Sequence, residues 1–172
     1  MTNDGSALAN FEAVLHQHGL QAGLAFLNER VAHRYTLVYR LEHDTLNRVA
    51  FVDKQGTFGQ HFAKSPFKES FCAVAVEAGC LIEATDVSTD SRFQGLPNLG
   101  KFGSYVGVPL VSSGGELFGT LCHADPAQQA LGDVEFQFLN EGAKLLGAYL
   151  EQAYAPGGQR PPSSELRTAI TE

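Results

Sequence analysis

The chain has 172 residues, of which 44% are apolar, and a formal net charge of −7, which fits one domain with a full core. Its twelve lysines and arginines are scattered singly, so it lacks both the basic stripe of a nucleic-acid binder and a general attraction to anionic lipid. The three cysteines form no CxxC pair, and the sequence contains neither a signal peptide nor a run of about 20 apolar residues, so we expect a cytoplasmic protein without membrane contact.

Two helices are predicted at the start of the domain. Apolar residues share one helical face from Leu8 to Leu15 and again from Leu20 to Val31, with Gly19 between the two stretches. We place the domain at residues 8–155. Residues 156–172 show no apolar period, and we expect them to form a flexible tail.

A change from helical spacing to alternation predicts an antiparallel hairpin. Residues 35–41 and 46–52 have the composition of two strands, and the polar residues 42–45 between them indicate a short turn. Residues 54–64 show no period and are expected to form a loop.

Ser65 and Pro66 predict the start of the next helix. Serine caps free backbone N–H groups, and proline is tolerated where no N–H partner is needed. The helix is expected to end at Gly79, and a short strand should follow over residues 80–84. Residues 86–103 are rich in Asp, Ser, Pro, Asn and Gly, which predicts a long loop containing one helical turn.

A second hairpin and a long helix complete the predicted domain. Strands over residues 105–111 and 116–123 flank Ser112–Gly115, a strong hairpin signal. Asp133 is expected to cap a helix that reaches Ala155. The apolar residues of this helix spread over roughly 200° at 100° per residue, about twice what one sheet face covers. The excess predicts a second packing surface, and we expect a homodimer through the first and last helices.

The order of the elements indicates the α+β fold class. Hairpin strands lie between helices at both ends, an order that is typical of an antiparallel sheet flanked by helices. A doubly wound nucleotide-binding fold would need regular alternation of strand and helix, which the sequence lacks.

Four segments carry a resemblance to a known family, and they occur in the right order and spacing. They are SFC at residues 70–72, the pattern D-x3-D-x-R-F at 86–93, SYVGVPL at 104–110 and FGTLC at 118–122. Together they resemble the GAF domains of bacterial sensor kinases and cyclic-dinucleotide enzymes. With the flanking helices, the resemblance covers about residues 8 to 152 and is consistent with a GAF-like sheet.

The resemblance implies that one sheet face is roofed by the loop at 86–103 and the neighbouring helix, where members of the family hold a ligand. Aromatic rings with a few polar groups are the usual composition of such a pocket. We expect Asp86 or Arg92 to supply the polar contact. The residues assigned to ligand binding are Tyr39, Phe51, Phe71, Asp86, Arg92, Phe93, Tyr105 and Gly107. The alternative is that these residues only build the loop, the sheet and a core rich in phenyl rings.

Catalytic and metal-binding motifs are missing from the sequence. The six histidines lack ligand spacing, and we find no hydrolase elbow, phosphate loop or paired catalytic carboxylates. Cys72 and Cys122 are predicted to be small core residues. Members of the family that bind tetrapyrroles usually carry a Cys-His pair before the proline-containing strand, whereas Cys122-His123 follows it. The identity of a cofactor or ligand stays open.

We therefore expect a sensory or regulatory domain in signal transduction that binds a small molecule and is not an enzyme. The signal is expected to pass to a separate effector protein. One alternative is a structural dimerisation or partner-docking module without a ligand. Another is a thiol-dependent methionine sulfoxide reductase, an activity found in one branch of the family, although that branch spaces its cysteines differently.

Overall fold

The computed structural model describes residues 4–56 and 62–155, and the predicted tail at 156–172 lies outside them. The described residues form four α-helices and six strands. The helices are α1 Asp4–His18, α2 Leu20–Glu29, α3 Phe71–Ala78 and α4 Asp133–Ala153. The strands are β1 Tyr35–Glu42, β2 Thr45–Asp53, β3 Lys64–Pro66, β4 Ile82–Ala84, β5 Ser104–Val111 and β6 Leu117–Asp125.

The six strands form one antiparallel sheet in the order β3-β2-β1-β6-β5-β4. This architecture confirms the predicted α+β fold class. Both predicted hairpins are present, and His43 turns the first of them with a left-handed φ of 57°. The sequence did not predict β3, a three-residue edge strand that pairs Thr45 with Pro66.

Each face of the sheet buries its own core, because successive side chains of a strand point to opposite faces. Val38 and Leu121 lie in the core that α1, α2 and α4 cover. Leu37 and Cys122, their neighbours in sequence, lie in the core on the opposite face, which α3 covers together with the loop at 86–103. We call this second side the α3 face.

The wide apolar surface of α4 is covered from two sides within one chain. One side packs on the sheet, and Phe138 contacts Phe11 of α1 with ring centroids 6.4 Å apart. The second packing surface predicted from the sequence is therefore α1. The homodimer stays a prediction, although the breadth of the α4 surface no longer requires one.

Two predicted helix starts were wrong. Ser65 and Pro66 belong to β3, and the cap of α3 is Ser70, whose hydroxyl oxygen accepts a hydrogen bond of 3.2 Å from the backbone N–H of Ala73. Proline fits an edge strand because it has no N–H to donate. Asp133 is the first residue of α4, and the residue before it, Gly132, occupies the cap position. The predicted end of α3 is confirmed, since Gly79 adopts the left-handed conformation there.

Among the described residues, no helix combines the length and the apolar character that crossing a membrane requires.

Candidate functional site

A cavity of about 280 Å³ lies on the α3 face. Its floor is formed by side chains of β1, β5 and β6, and its roof by the start of α3 and the end of the loop at 86–103. Five aromatic residues line it: Tyr39, Phe62, Phe71, Phe102 and Tyr105. The volume is close to the lower end of the range for small-molecule sites.

Phe71 is the central ring of the cavity wall. Its centroid lies 5.5 Å from that of Tyr105 and 6.0 Å from that of Phe102, both in edge-to-face geometry. Phe71 is also the first residue of α3, so the Ser70 cap fixes where the ring enters the cavity. Edge-to-face pairs stabilise one another beyond their buried area, so this wall is preformed.

Tyr39 connects β1 through a hydrogen bond to the segment that precedes β3. Its hydroxyl donates a hydrogen bond of 2.7 Å to the carbonyl oxygen of Phe62. Phe62 has a left-handed φ of 61°, which is rare for a side chain of this size. Burial raises the pKa of Tyr39 well above its usual value, so the hydroxyl stays neutral and acts as a donor.

The charged residues of the cavity lining are two lysines and one glutamate. Lys64 lies on β3, Lys101 lies in the loop and Glu69 precedes α3. Neither lysine forms an ion pair with any residue that the structure describes. The lining thus carries one excess positive charge, whereas the whole chain carries −7.

Asp86 and Arg92 stabilise the loop and do not line the cavity. The Asp86 carboxylate accepts a hydrogen bond of 3.0 Å from the N–H of Ser88. Arg92 donates from Nη2 to the Asp90 carboxylate at 2.6 Å and to the carbonyl oxygen of Glu83 at 3.0 Å. These bonds agree with the alternative given above, in which Asp86 and Arg92 build the loop, and neither side chain lines the cavity.

The remaining predicted site residues divide into a lining group and a supporting group. Tyr39, Phe71 and Tyr105 line the cavity, while Phe93 lies behind it, fully buried, with its ring centroid 4.9 Å from that of Phe71. Phe51 stacks on Tyr35 at 5.9 Å, and its side chain is not among those that line the cavity.

Gly107 makes room for the ring of Tyr105. A Cβ atom at residue 107 would lie 2.6 Å from Cε1 of Tyr105, which no real packing allows. A larger residue at this position would therefore displace the Tyr105 ring from the wall, and would disturb the cavity indirectly instead of filling it.

Two thiols lie side by side in the cavity wall. Cys72 of α3 and Cys122 of β6 both line the cavity, and both are buried. The interaction between the two thiols lowers the pKa of Cys72 and raises that of Cys122. The hydroxyl of Tyr105 donates a hydrogen bond of 3.4 Å to the sulfur of Cys72.

Residues 15–150, well over half of the chain, match the sequence model of the GAF domain. The chain belongs to the GAF domain family. Comparison with curated proteins found no match.

Solved structures share the fold of this GAF domain. The GAF domain of the Acinetobacter phosphoenolpyruvate-protein phosphotransferase superposes with a TM-score of 0.75 at 16% identity, over 92% of this chain and 99% of that chain. Free methionine-R-sulfoxide reductase from Neisseria meningitidis, in complex with its substrate, gives 0.68 at 22% identity, over 86% and 88%. The chromophore-binding domain of an R. palustris bacteriophytochrome gives 0.67 at 10% identity, over 87% and 62%. Identities this low show a common fold and no more.

Sequence reasoning missed four important side chains of this GAF domain. Cys122 lies directly across from Leu37 of β1 and belongs to the α3 face, so alternation along β6 could have placed it once the strand order was known. Cys72, Lys64 and Lys101 carry no such signal, because each reaches the cavity through the path of the chain and not through a local pattern.

A metal site was not found in the part of the chain that the structure describes. No three of its His, Cys, Asp and Glu side chains lie close enough together to hold an ion. Cys122 and His123 point to opposite faces of β6, as successive residues of a strand must.

Proposed function

We propose that this GAF domain is a sensory or regulatory domain whose cavity binds a small, flat, anionic molecule. The observation that carries the proposal is the cavity of about 280 Å³ on the α3 face, lined by five rings and by two lysines without ion pairs among the described residues. A binding site of this composition has apolar walls and a few polar groups that set orientation.

The size of the cavity limits the ligand. At about 30 Å³ for each water in the liquid, it has the volume of roughly nine waters. That volume favours a single ring or a short chain with one anionic group. A dinucleotide or a tetrapyrrole would require the walls to move.

The charge of the lining favours an anion. Lys64 and Lys101 approach the cavity from different elements, β3 and the loop, and only Glu69 opposes them. A carboxylate held between the two lysines would make charge-assisted hydrogen bonds, which are stronger than those between neutral groups. Such a ligand would contact both the loop and the edge strand β3. A change of conformation on binding would therefore involve both elements.

Matched ligand pairs test the proposal. The thermal shift of the full chain is measured with aromatic carboxylates and with the uncharged amides of the same acids. A ligand at 100 times its Kd stabilises the fold by about 2.7 kcal/mol. We expect carboxylates to raise Tm more than their amides do. If no compound of the panel shifts Tm, the proposal fails.

Charge variants locate the site. Lys64→Gln and Lys101→Gln are each expected to weaken binding of the carboxylate about tenfold, which corresponds to about 1.4 kcal/mol. The control is Lys68→Gln, because Lys68 is exposed on the neighbouring turn and does not line the cavity. Equal weakening in all three variants would indicate a general surface charge effect and would contradict the assignment.

A filling variant tests the cavity itself. Ala124 is buried in the cavity floor, and Ala124→Leu would place three more carbon atoms in that space. Ala148→Leu, on the exposed side of α4, is the control. We expect the thermal shift to disappear only in the first variant.

A second candidate function follows from the two thiols in the wall. Free methionine-R-sulfoxide reductases share the fold, and Cys72 and Cys122 lie where a small substrate would bind. Incubation with free methionine-R-sulfoxide and a dithiol reductant would release methionine if this GAF domain were such an enzyme. Our proposal of a non-enzymatic sensor predicts that no methionine forms.

A further inference from the structure

The lining of the cavity on the α3 face changes in character with depth. Its charged residues, Lys64, Glu69 and Lys101, are exposed, and we call their end of the cavity the mouth. Cys72 and Tyr105 also line the cavity, but they are only 4% and 3% exposed. The cavity therefore has a charged mouth and a buried inner end that includes a thiol and a hydroxyl group.

We propose that the Tyr105 hydroxyl accepts a hydrogen bond from the ligand, and that this GAF domain selects aromatic carboxylates with a hydrogen-bond donor opposite the carboxylate. The inference rests on the proposed function and defines the class of ligand for the same cavity. The simplest members of the class are para-hydroxybenzoate and para-aminobenzoate.

The hydrogen bonding of Tyr105 leaves its oxygen able to accept. The hydroxyl donates its hydrogen to the sulfur of Cys72 at 3.4 Å. No N–H or O–H group of the described residues donates to the Tyr105 oxygen, and sulfur is a weak acceptor. Buried polar groups normally have hydrogen-bond partners in the protein or in bound molecules. A weakly paired hydroxyl at the inner end of the cavity therefore favours a donor on the ligand.

Packing and burial hold the Tyr105 hydroxyl in place and keep it neutral. Its ring lies edge to face with Phe71 at 5.5 Å and with Phe93 at 5.8 Å between centroids. Burial raises the pKa of Tyr105 well above its usual value, so the hydroxyl keeps its hydrogen. The ligand donor, the Tyr105 hydroxyl and the Cys72 sulfur would form a chain of hydrogen bonds that strengthen one another.

Tyr39 also lines the cavity, but its hydroxyl is held differently. It donates to the carbonyl oxygen of Phe62 at 2.7 Å, and a carbonyl oxygen is a stronger acceptor than sulfur. Phe62 lies two residues before Lys64 of the mouth. The Tyr39 hydroxyl therefore stabilises the wall next to the mouth, and we assign the ligand contact to Tyr105.

The distribution of charge determines where the donor belongs on the ring. A carboxylate held by Lys64 and Lys101 stays at the exposed mouth, whereas Tyr105 is at the buried end. A flat ring that extends inward from the mouth presents the substituent opposite its carboxylate to the inner end. The para position is therefore the one that the Tyr105 hydroxyl would contact.

Calorimetric titration of the full chain with four matched carboxylates tests the inference. Para-hydroxybenzoate and para-aminobenzoate carry a donor at the para position. Para-fluorobenzoate has a small substituent there without a hydrogen to donate, and benzoate has no substituent. We expect the two compounds with donors to bind about tenfold more tightly than the other two, which corresponds to about 1.4 kcal/mol for one hydrogen bond.

A series of tyrosine-to-phenylalanine variants locates the hydrogen bond. Tyr105→Phe keeps the ring and removes the oxygen, so it should abolish the preference for donors without changing the affinity for benzoate. Tyr39→Phe should keep the preference. Tyr149→Phe is the matched control, because Tyr149 lies on α4 and packs against the core on the opposite face of the sheet. Circular dichroism verifies that each variant is folded, and the ligand series in the unmodified chain requires no variant.

Three results would overturn the inference. The first is an equal affinity of the unmodified chain for all four carboxylates. The second is a preference for donors that persists in Tyr105→Phe. The third is a preference that is lost in Tyr149→Phe as well, which would indicate a general effect on the fold. Equal binding of the four compounds leaves the sensor proposal standing, whereas a chain that binds none of them loses both the sensor proposal and this inference.

Discussion

The hydroxyl of Thr36 lies 2.7 Å from Nδ1 of His123, and both side chains are buried on the face of the sheet that α1, α2 and α4 cover. The amide of Asn28 donates to the same hydroxyl oxygen at 2.8 Å. The hydroxyl hydrogen of Thr36 can be donated to Nδ1 of His123 when the neutral imidazole carries its own hydrogen on Nε2. His33 stacks on this ring, with the two centroids 5.8 Å apart.

We predict that acid destabilises the fold through this histidine pair. Burial lowers the pKa of His33 to about 4 and that of His123 to about 3, from an ordinary value of 6.5. The unfolded chain therefore binds more protons below pH 6.5 than the folded one. The stabilising effect is complete above about pH 6.5 and is lost as the pH falls toward 4 and then 3. Each histidine adds a slope of up to about 1.4 kcal/mol per pH unit.

Urea unfolding at pH 7, 5.5 and 4.5 measures this slope. Carboxylates also titrate at the lower end of the range, so the comparison is between the unmodified chain and His33→Phe. Both ring nitrogens of His33 are buried without a hydrogen-bond partner among the described residues, so the variant loses a titrating group and no hydrogen bond. An unchanged slope in His33→Phe would show that the pair does not control acid stability.

The two serines near α3 should respond differently to substitution. Ser70→Ala removes the cap of the helix and should cost about 0.5–2 kcal/mol of unfolding free energy. Ser65→Ala should stay within about 0.5 kcal/mol, because Ser65 lies on the edge strand and caps no helix. Chemical denaturation of both variants measures the difference. An equal loss of unfolding free energy in both variants would support the helix start predicted at Ser65.

Gly147 allows a close contact between α4 and the backbone of β5. A Cβ atom there would overlap the carbonyl oxygen of Val111 and lie 3.2 Å from its backbone nitrogen. Backbone atoms of a strand cannot move aside easily, so Gly147→Ala should destabilise the fold by about 1–3 kcal/mol. Gly5→Ala is the control, because a Cβ in α1 at that position meets no atom within 4 Å. The prediction is wrong if both variants melt at the same temperature.

Arg92→Ala is expected to weaken the loop slightly and to leave ligand affinity unchanged. Its ion pair with Asp90 is partly exposed, and such pairs contribute about 0–1 kcal/mol. The Kd of a bound carboxylate should be the same in Arg92→Ala and the unmodified chain, because Arg92 does not line the cavity. A large rise in Kd would indicate that Arg92 contacts the ligand, as predicted from the sequence.

The homodimer predicted from the sequence is tested by sedimentation at micromolar concentration. A species of twice the chain mass would confirm it and would require a surface beyond the contact between α1 and α4. Val134, 47% exposed at the start of α4, is one apolar side chain left for such a contact. A monomer would mean that the sheet and α1 of the same chain are sufficient to cover the apolar surface of α4.

Local patterns were sufficient to predict most of the secondary structure and the fold class. The helical faces of α1 and α2, the alternation in the first hairpin and the glycine at the end of α3 each depend on residues only a few positions apart. Phe71, Tyr39 and Tyr105, which line the cavity, were also predicted as site residues, because the family resemblance implied a ligand beneath the roof and aromatic rings are usual in such a pocket.

The tertiary structure alone decided the chemistry of the cavity. Cys72 and Cys122 line one cavity with Lys64 and Lys101 only because the strands assemble in the order β3-β2-β1-β6-β5-β4 beneath α3 and the loop. Asp86 and Arg92 were predicted as ligand contacts from their residue types, yet nearby backbone and carboxylate groups already satisfy their hydrogen bonds. A residue's type and its near neighbours determine what it can bind, but which groups it faces depends on contacts between segments tens of residues apart.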